Sequence, residues 1–213
     1  MRRLTAFVAA LFAVIALTGA GQQAPQRLYQ SYSDAQKADL DRISTYLNAI
    51  HSLRADFLQV SPEGNAVQGV VTIQKPGQIR FEYRPPSPVL VVATGGAVYV
   101  KNTKLNTVDS YDLSDTPLGL LLNDNVDLAH NKGVLGVEER EGEIVVRART
   151  TTNRNNANIT MVFSAPALEL RQWTVKDNQG GLTTVALRNL QIGATLDPAL
   201  FAVPAKAPRQ QGK

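Results

Sequence analysis

The sequence predicts an α+β protein. Its main element is a large curved antiparallel sheet of about ten to eleven strands, an incomplete β-barrel plugged by helices on its concave face. Three observations lead there. Short runs of alternating polarity recur between turn clusters over most of the chain. Helical spacing appears in only two or three places, once before the strand series and again in its middle. A twisted sheet of so many strands also tends to curl on itself.

The first residues are read separately from the fold. Arg2 and Arg3 precede an apolar run from Ala6 to Leu17, and Thr18-Gly19-Ala20 supplies small residues for cleavage, so residues 1–20 read as a secretory signal peptide. The run is well short of the roughly 20 residues that span a bilayer. Its removal lowers the formal charge from +4 to +2, so much of the basicity belongs to the export signal. Residues 21–32 read as a polar linker, 33–204 as one domain, and 205–213 as a disordered tail. An exported chain with no Cys has neither disulfides nor a cysteine for lipid attachment, and packing alone must stabilise it. Export also argues against a nucleic-acid partner.

Ser33 or Asp34 can cap a helix in which Leu40, Ile43, Leu47 and Ile50 recur at helical spacing. From Leu53 the period becomes strand-like, with Leu53, Ala55 and Phe57 on one face. Val70 to Arg84 forms a hairpin around a Lys75-Pro76-Gly77 corner, with Ile79, Phe81 and Tyr83 on one face and Arg80, Glu82 and Arg84 on the other. Pro85-Pro86-Ser87-Pro88 marks an edge or corner. Val89–Ala93 and Ala97–Lys101 flank a glycine turn, and Asn106–Tyr111 makes the next strand. Asp115 or Thr116 can cap a short helix with Pro117 in its first position and the apolar run 118–122 as its body, and Asn125–His130 reads as a further helical turn. The last third is strands again: Val134–Arg140, Ile144–Thr150, Ile159–Ser164, Leu168–Lys176 and Leu182–Leu190, with a polar loop at Asn153–Asn158.

Recognisable catalytic chemistry is missing. With two histidines and no Cys, neither a Cys/His zinc cluster nor a Cys nucleophile can be built. No nucleophile elbow, P-loop or dinucleotide fingerprint occurs. His51 sits at a helix end, where a cation suits the dipole. Asp124 and Asp127, and Glu138, Glu139 and Glu141, read as surface turns. The Asn158-Ile159-Thr160 sequon lies at a strand start. No catalytic residue, metal ligand or cofactor is assigned.

Several motifs, kept in order from Leu40 to Pro204, resemble the outer-membrane lipoprotein carrier (LolA) family. They are Phe57-Leu58-Gln59, Gly69, Gln74 to Tyr83 with its Lys-Pro-Gly corner, Val91 to Gly95 and Val98-Tyr99, Thr116-Pro117-Leu118, Leu170 to Trp173, Gln179-Gly180, and Phe201-x-Val203-Pro204. The resemblance implies an unclosed barrel with a helical lid in the periplasm, binding lipoprotein acyl chains and acting as a monomer. It implies an inner-membrane ATP-driven (ABC) transporter as donor and an outer-membrane lipoprotein acceptor as receiver. On this reading Ile79, Phe81, Tyr83, Val91, Tyr99 and Trp173 are cavity candidates, and Leu118, Leu121, Ile43 and Leu47 are lid candidates. The family often has Arg before the corner proline, as a latch on lid carbonyls. Here the latch candidate is Lys75, which lacks the planar fork of Arg, and Arg80 is the nearby alternative. A lipid-sensing envelope protein on the same fold is the alternative function, and the lack of sequence for a second domain beyond Pro204 counts against it.

Overall fold

The computed structural model describes residues 32–150, 157–177 and 179–205. The signal peptide, linker residues 21–31, residues 151–156, which include 153–156 of the expected polar loop, residue 178, and residues 206–213 of the tail lie outside that set. Tyr32, counted in the linker, is part of the fold: it is buried, and its hydroxyl donates to Val134 O at 3.3 Å.

The chain runs α1 (Asp34–Ala49), β1 (Ser52–Val60), β2 (Ala66–Gln74), β3 (Gln78–Tyr83), β4 (Val89–Thr94), β5 (Ala97–Asn102), β6 (Thr107–Asp112), α2 (Gly119–Leu122), β7 (Val134–Arg140), β8 (Glu143–Arg149), β9 (Asn158–Ser164), β10 (Leu170–Lys176) and β11 (Leu182–Ile192). The eleven strands form one open antiparallel sheet in the order β6-β5-β4-β3-β2-β1-β11-β10-β9-β8-β7. All neighbours except β1 and β11 are sequence-adjacent hairpins or meanders, and that one pairing closes the series across its middle. β6 and β7 are the two free edges.

Alternation assigns the faces. Across one half the row Ala55, Val71, Phe81, Val91 and Val100 runs through successive partners. Across the other, Val185, Trp173, Met161 and Val146 form a second row, which reaches β1 at Gln59. These side chains share the concave face, where the core sits. A bulge between Arg54 and Asp56, opposite β11, restores the phase between the halves.

α1 starts with a capping box. The Ser33 hydroxyl accepts from Gln36 N at 3.2 Å, and the Gln36 side-chain oxygen accepts from Ser33 N at 3.0 Å. Its stripe of Leu40, Ile43 and Leu47 is buried in the core. The same helix presents two polar side chains to the loop before β7. Asn48 donates to Val126 O at 2.9 Å and accepts from Val126 N at 2.8 Å, while Ser44 Oγ accepts from Leu128 N at 3.0 Å. With its backbone served from α1, the segment needs no helical bonds of its own. The helical turn expected at Asn125–His130 is accordingly a non-helical loop ending in a turn at residues 128–130.

The second helix also differs from expectation. Asp112, not Asp115, caps a 3₁₀ turn at Leu113–Asp115, and the α-helix proper is the single turn Gly119–Leu122, without a side-chain cap. Thr116 and Pro117 lie between the two, in extended or turn geometry that lays them along the concave face.

After β11 the chain returns across the convex face. Ser52 O accepts from Gly193 N at 3.0 Å and Ser52 Oγ donates to Ala194 O at 2.8 Å. The 3₁₀ turn Pro198–Phe201 then packs on β3 and β4, with Phe201 buried and Arg80 donating to Leu200 O at 3.2 Å.

The Asn48 bonds suggest a direct test. Asn48→Ala strips both backbone groups of Val126 of their partner, and the urea midpoint should fall by the equivalent of about 1–3 kcal/mol. An unchanged midpoint would show that water replaces the amide without cost.

Candidate functional site

A cavity of about 550 Å³ opens between the concave sheet and the 115–118 segment. Phe81, Tyr83, Val91, Trp173 and Val185 line it from the sheet, and Thr116, Pro117 and Leu118 from the cover. Its floor is an aromatic cluster. Phe57 meets Phe81 and Tyr83 edge-on, with ring centroids 5.3 and 5.1 Å away, and Phe81 meets Trp173 at 6.3 Å. Such edge-to-face pairs suit the ring quadrupoles.

Gly69 makes the floor possible. It pairs with Phe57 on one side and Tyr83 on the other, and a Cβ there would lie 2.6 Å from Phe57 Cε1 and also against the Glu82 carbonyl oxygen. The bare backbone is where the Phe57 ring rests. Gly69→Ala should therefore cost about 1–3 kcal/mol by overpacking, measured as a lowered thermal midpoint. A neutral result would mean that the ring can move aside.

The candidate residues divide into groups. Phe81, Tyr83, Val91, Trp173 and Leu118 border the cavity. Ile79, Ile43, Leu47 and Leu121 are in the solid core beside it. Tyr99 is placed on the other face: Val98 and Val100 flank it on the concave side, while Tyr99 itself pairs with Val92 on the convex side. Its aromatic bulk suggested a wall residue, but its parity in the strand is opposite. Gln59, Val175 and Val185, none of them among the cavity candidates, also line the cavity. Their strand parity contains the signal, and Gln59 closes the Phe-x-Gln motif.

Polar contacts in the cavity are few. The Tyr83 hydroxyl donates to Gln59 Oε1 at 2.8 Å, and burial pushes the phenol above its ordinary value, with this bond acting the other way. Asp177 lies at the rim, its carboxylate accepting from the Gln179 and Gly181 amides at 2.9 and 2.7 Å. Among the described residues no cluster of three or more His, Cys, Asp or Glu side chains suited to a metal ion occurs.

The corner at Lys75 is built differently from the rest of the surface. The Lys75 side chain is buried, and its ammonium donates to Leu47 O, in the last turn of α1, at 2.8 Å. The Gly77 amide donates to Leu122 O at 2.9 Å. One turn of the sheet thus holds the C-terminal ends of both helices, where carbonyls lack helical partners and the dipole favours a cation. Arg80 is engaged elsewhere, with Glu82 and Leu200 on the convex side.

Comparison with known proteins identifies the lineage. The model of the family described as outer membrane lipoprotein carrier protein LolA matches residues 48–204. The chain belongs to the LolA family. An outer-membrane lipoprotein carrier protein from Methylococcus capsulatus is 28% identical over 178 residues, covering 79% of this chain and 85% of the relative. One from Dechloromonas aromatica is 26% identical over 172 residues, covering 76% and 81%. The crystal structure of a LolA superfamily protein from Nitrosomonas europaea aligns over 76% of this chain and 96% of its own, at 8% identity and a TM-score of 0.43. The open eleven-stranded sheet with few helices is the architecture expected from the sequence.

Desolvation holds the Lys75 ammonium below the ordinary lysine pKa, partly offset by Asp124. The folded protein therefore binds fewer protons than the unfolded chain between that depressed value and about 10.4. Stability should rise with pH through this window, and the cost of the buried charge is present in full below it. In Lys75→Met the rise should vanish from urea midpoints measured between pH 7 and 10.5. An identical slope in both proteins would assign it to other groups.

Proposed function

We propose that the protein is a periplasmic carrier that encloses the acyl chains of lipoproteins. It would take them from an inner-membrane ATP-driven transporter and give them to an outer-membrane acceptor, working as a monomer and without catalysis. The observation that supports this reading most is the apolar cavity under the 115–118 segment. Each acyl CH₂ moved from water into such a space gains about 0.8 kcal/mol, so affinity needs area and shape rather than reactive groups.

The cover is short and lightly bonded to the sheet. Lys75 and Gly77 fix the inner ends of α1 and α2, whereas Thr116, Pro117 and Leu118 are the stretch that faces the cavity. We read Lys75 as the latch of the closed state. Its single ammonium-to-carbonyl bond is a point contact, weaker in geometric terms than a bidentate guanidinium, and suits a cover that must release.

The test uses inner-membrane vesicles carrying a radiolabelled lipoprotein, a competent transporter and ATP. Added protein should bring label into the soluble fraction as a one-to-one complex, and Phe81→Glu should abolish that complex while the circular dichroism spectrum stays native. Label that remains in the membrane with wild-type protein would refute the carrier role. Undiminished loading of Phe81→Glu would move the acyl chains to another surface.

A further inference from the structure

Two hydrogen-bond donors in the cavity have no hydrogen-bond partner among the described residues. Trp173 is 1% exposed, yet its indole N–H makes no hydrogen bond among the described residues. No fully occluded side-chain nitrogen or oxygen there lacks a partner. The N–H must therefore reach free space, and the free space bordering Trp173 is the cavity. Gln59 is the second donor. Its oxygen is taken by the Tyr83 hydroxyl at 2.8 Å, which leaves the amide NH₂ without a partner among the described residues.

The two donors are in register. Gln59 and Trp173 both pair with Val185, from opposite sides. They stand in one cross-strand row on the concave face, two strand spacings or about 10 Å apart at the backbone. Everything else in that row is apolar: Val185 lies between them and Met161 beyond Trp173. An indole N–H in an apolar wall costs free energy until an acceptor meets it.

A pure hydrocarbon has no acceptor to offer. A free fatty acid has one, but it arrives as a carboxylate into a cavity bordered by Asp115 and Asp177, where like charge opposes it. A neutral acyl carbonyl, as in an ester or amide, satisfies the donors without adding charge. We infer that Trp173 Nε1–H and the Gln59 amide are a carbonyl-binding subsite, and that the cavity selects acyl esters or amides over ethers and free fatty acids. This rests on the acyl-chain reading of the cavity above and adds a chemical class to it.

The experiment compares three ligands of equal chain length: a dipalmitoyl-glyceryl lipopeptide, its dihexadecyl ether counterpart, and palmitate. Binding to the purified protein is measured by calorimetry. The diester should bind about tenfold tighter than the diether, the scale set by leaving a buried donor unpaired, and palmitate should bind most weakly. In Gln59→Leu and Trp173→Phe the diester-to-diether ratio should shrink, and in the double variant it should approach unity. Equal, tight binding of diester and diether to wild-type protein would overturn the subsite while leaving the acyl-chain cavity intact. Binding of neither would overturn both, and the wild-type comparison holds whether or not the variants fold.

Discussion

An antiparallel sheet that is apolar across most of its concave width, and whose edges do not meet, has to be covered by something outside itself. That constraint organises the molecule. The concave face continues through the β1–β11 pairing from one half of the sheet to the other, so the cover must span both halves. α1 fills one part with Leu40, Ile43 and Leu47 and becomes solid core. The segment from Leu113 to Leu122 is too short and too lightly helical to fill the rest, and the remaining space is the cavity. Core and cavity wall are therefore one surface, differing only in what lies above it.

The Lys75 corner is where the cover is attached. A buried ammonium on a single helix carbonyl is a modest attachment, because desolvation of the charge offsets much of what the hydrogen bond contributes. Replacing it by an apolar side chain would remove the charge cost together with the specificity of the contact. The aromatic floor is built in the opposite way. Phe57, Phe81, Tyr83 and Trp173 are held by ring packing and by the absence of a side chain at Gly69, with no charged group among them. The site thus combines a rigid floor with a cover held by few polar bonds.

Strand positions were largely legible because each alternating run is bounded by its own turn residues. Val134–Arg140 has the same bounds in sequence pattern and structure, stopped by the Glu141-Gly142 turn. Local signals failed where partners are distant. The 125–130 segment looks helical in isolation, but Asn48 and Ser44, 78 and 84 residues earlier, supply its backbone partners. Within the cavity, side-chain size drew attention to Tyr99, while parity, which the sequence also contains, puts it on the convex face and puts the smaller Val175 and Val185 in the wall. What no local pattern contains is the depth of the space: Ile79 and Phe81 are on the same face of the same strand, and only the position of the cover makes one core and the other lining.

The chain that follows β11 has a mechanical consequence. It leaves the sheet at the one pairing that joins the two halves, is fixed there by Ser52, and is anchored again on β3 and β4 through Leu200 and Phe201. The back of the sheet is thus fastened like a buckled strap, while β6 and β7 at the front are fastened to nothing of each other. Separating the two front margins would break no strand pairing, whereas separating the spine would break the β1–β11 ladder and the Ser52 and Leu200 contacts. On the carrier proposal, guests of different girth would be met at the lips and the cover, with the aromatic floor left undisturbed.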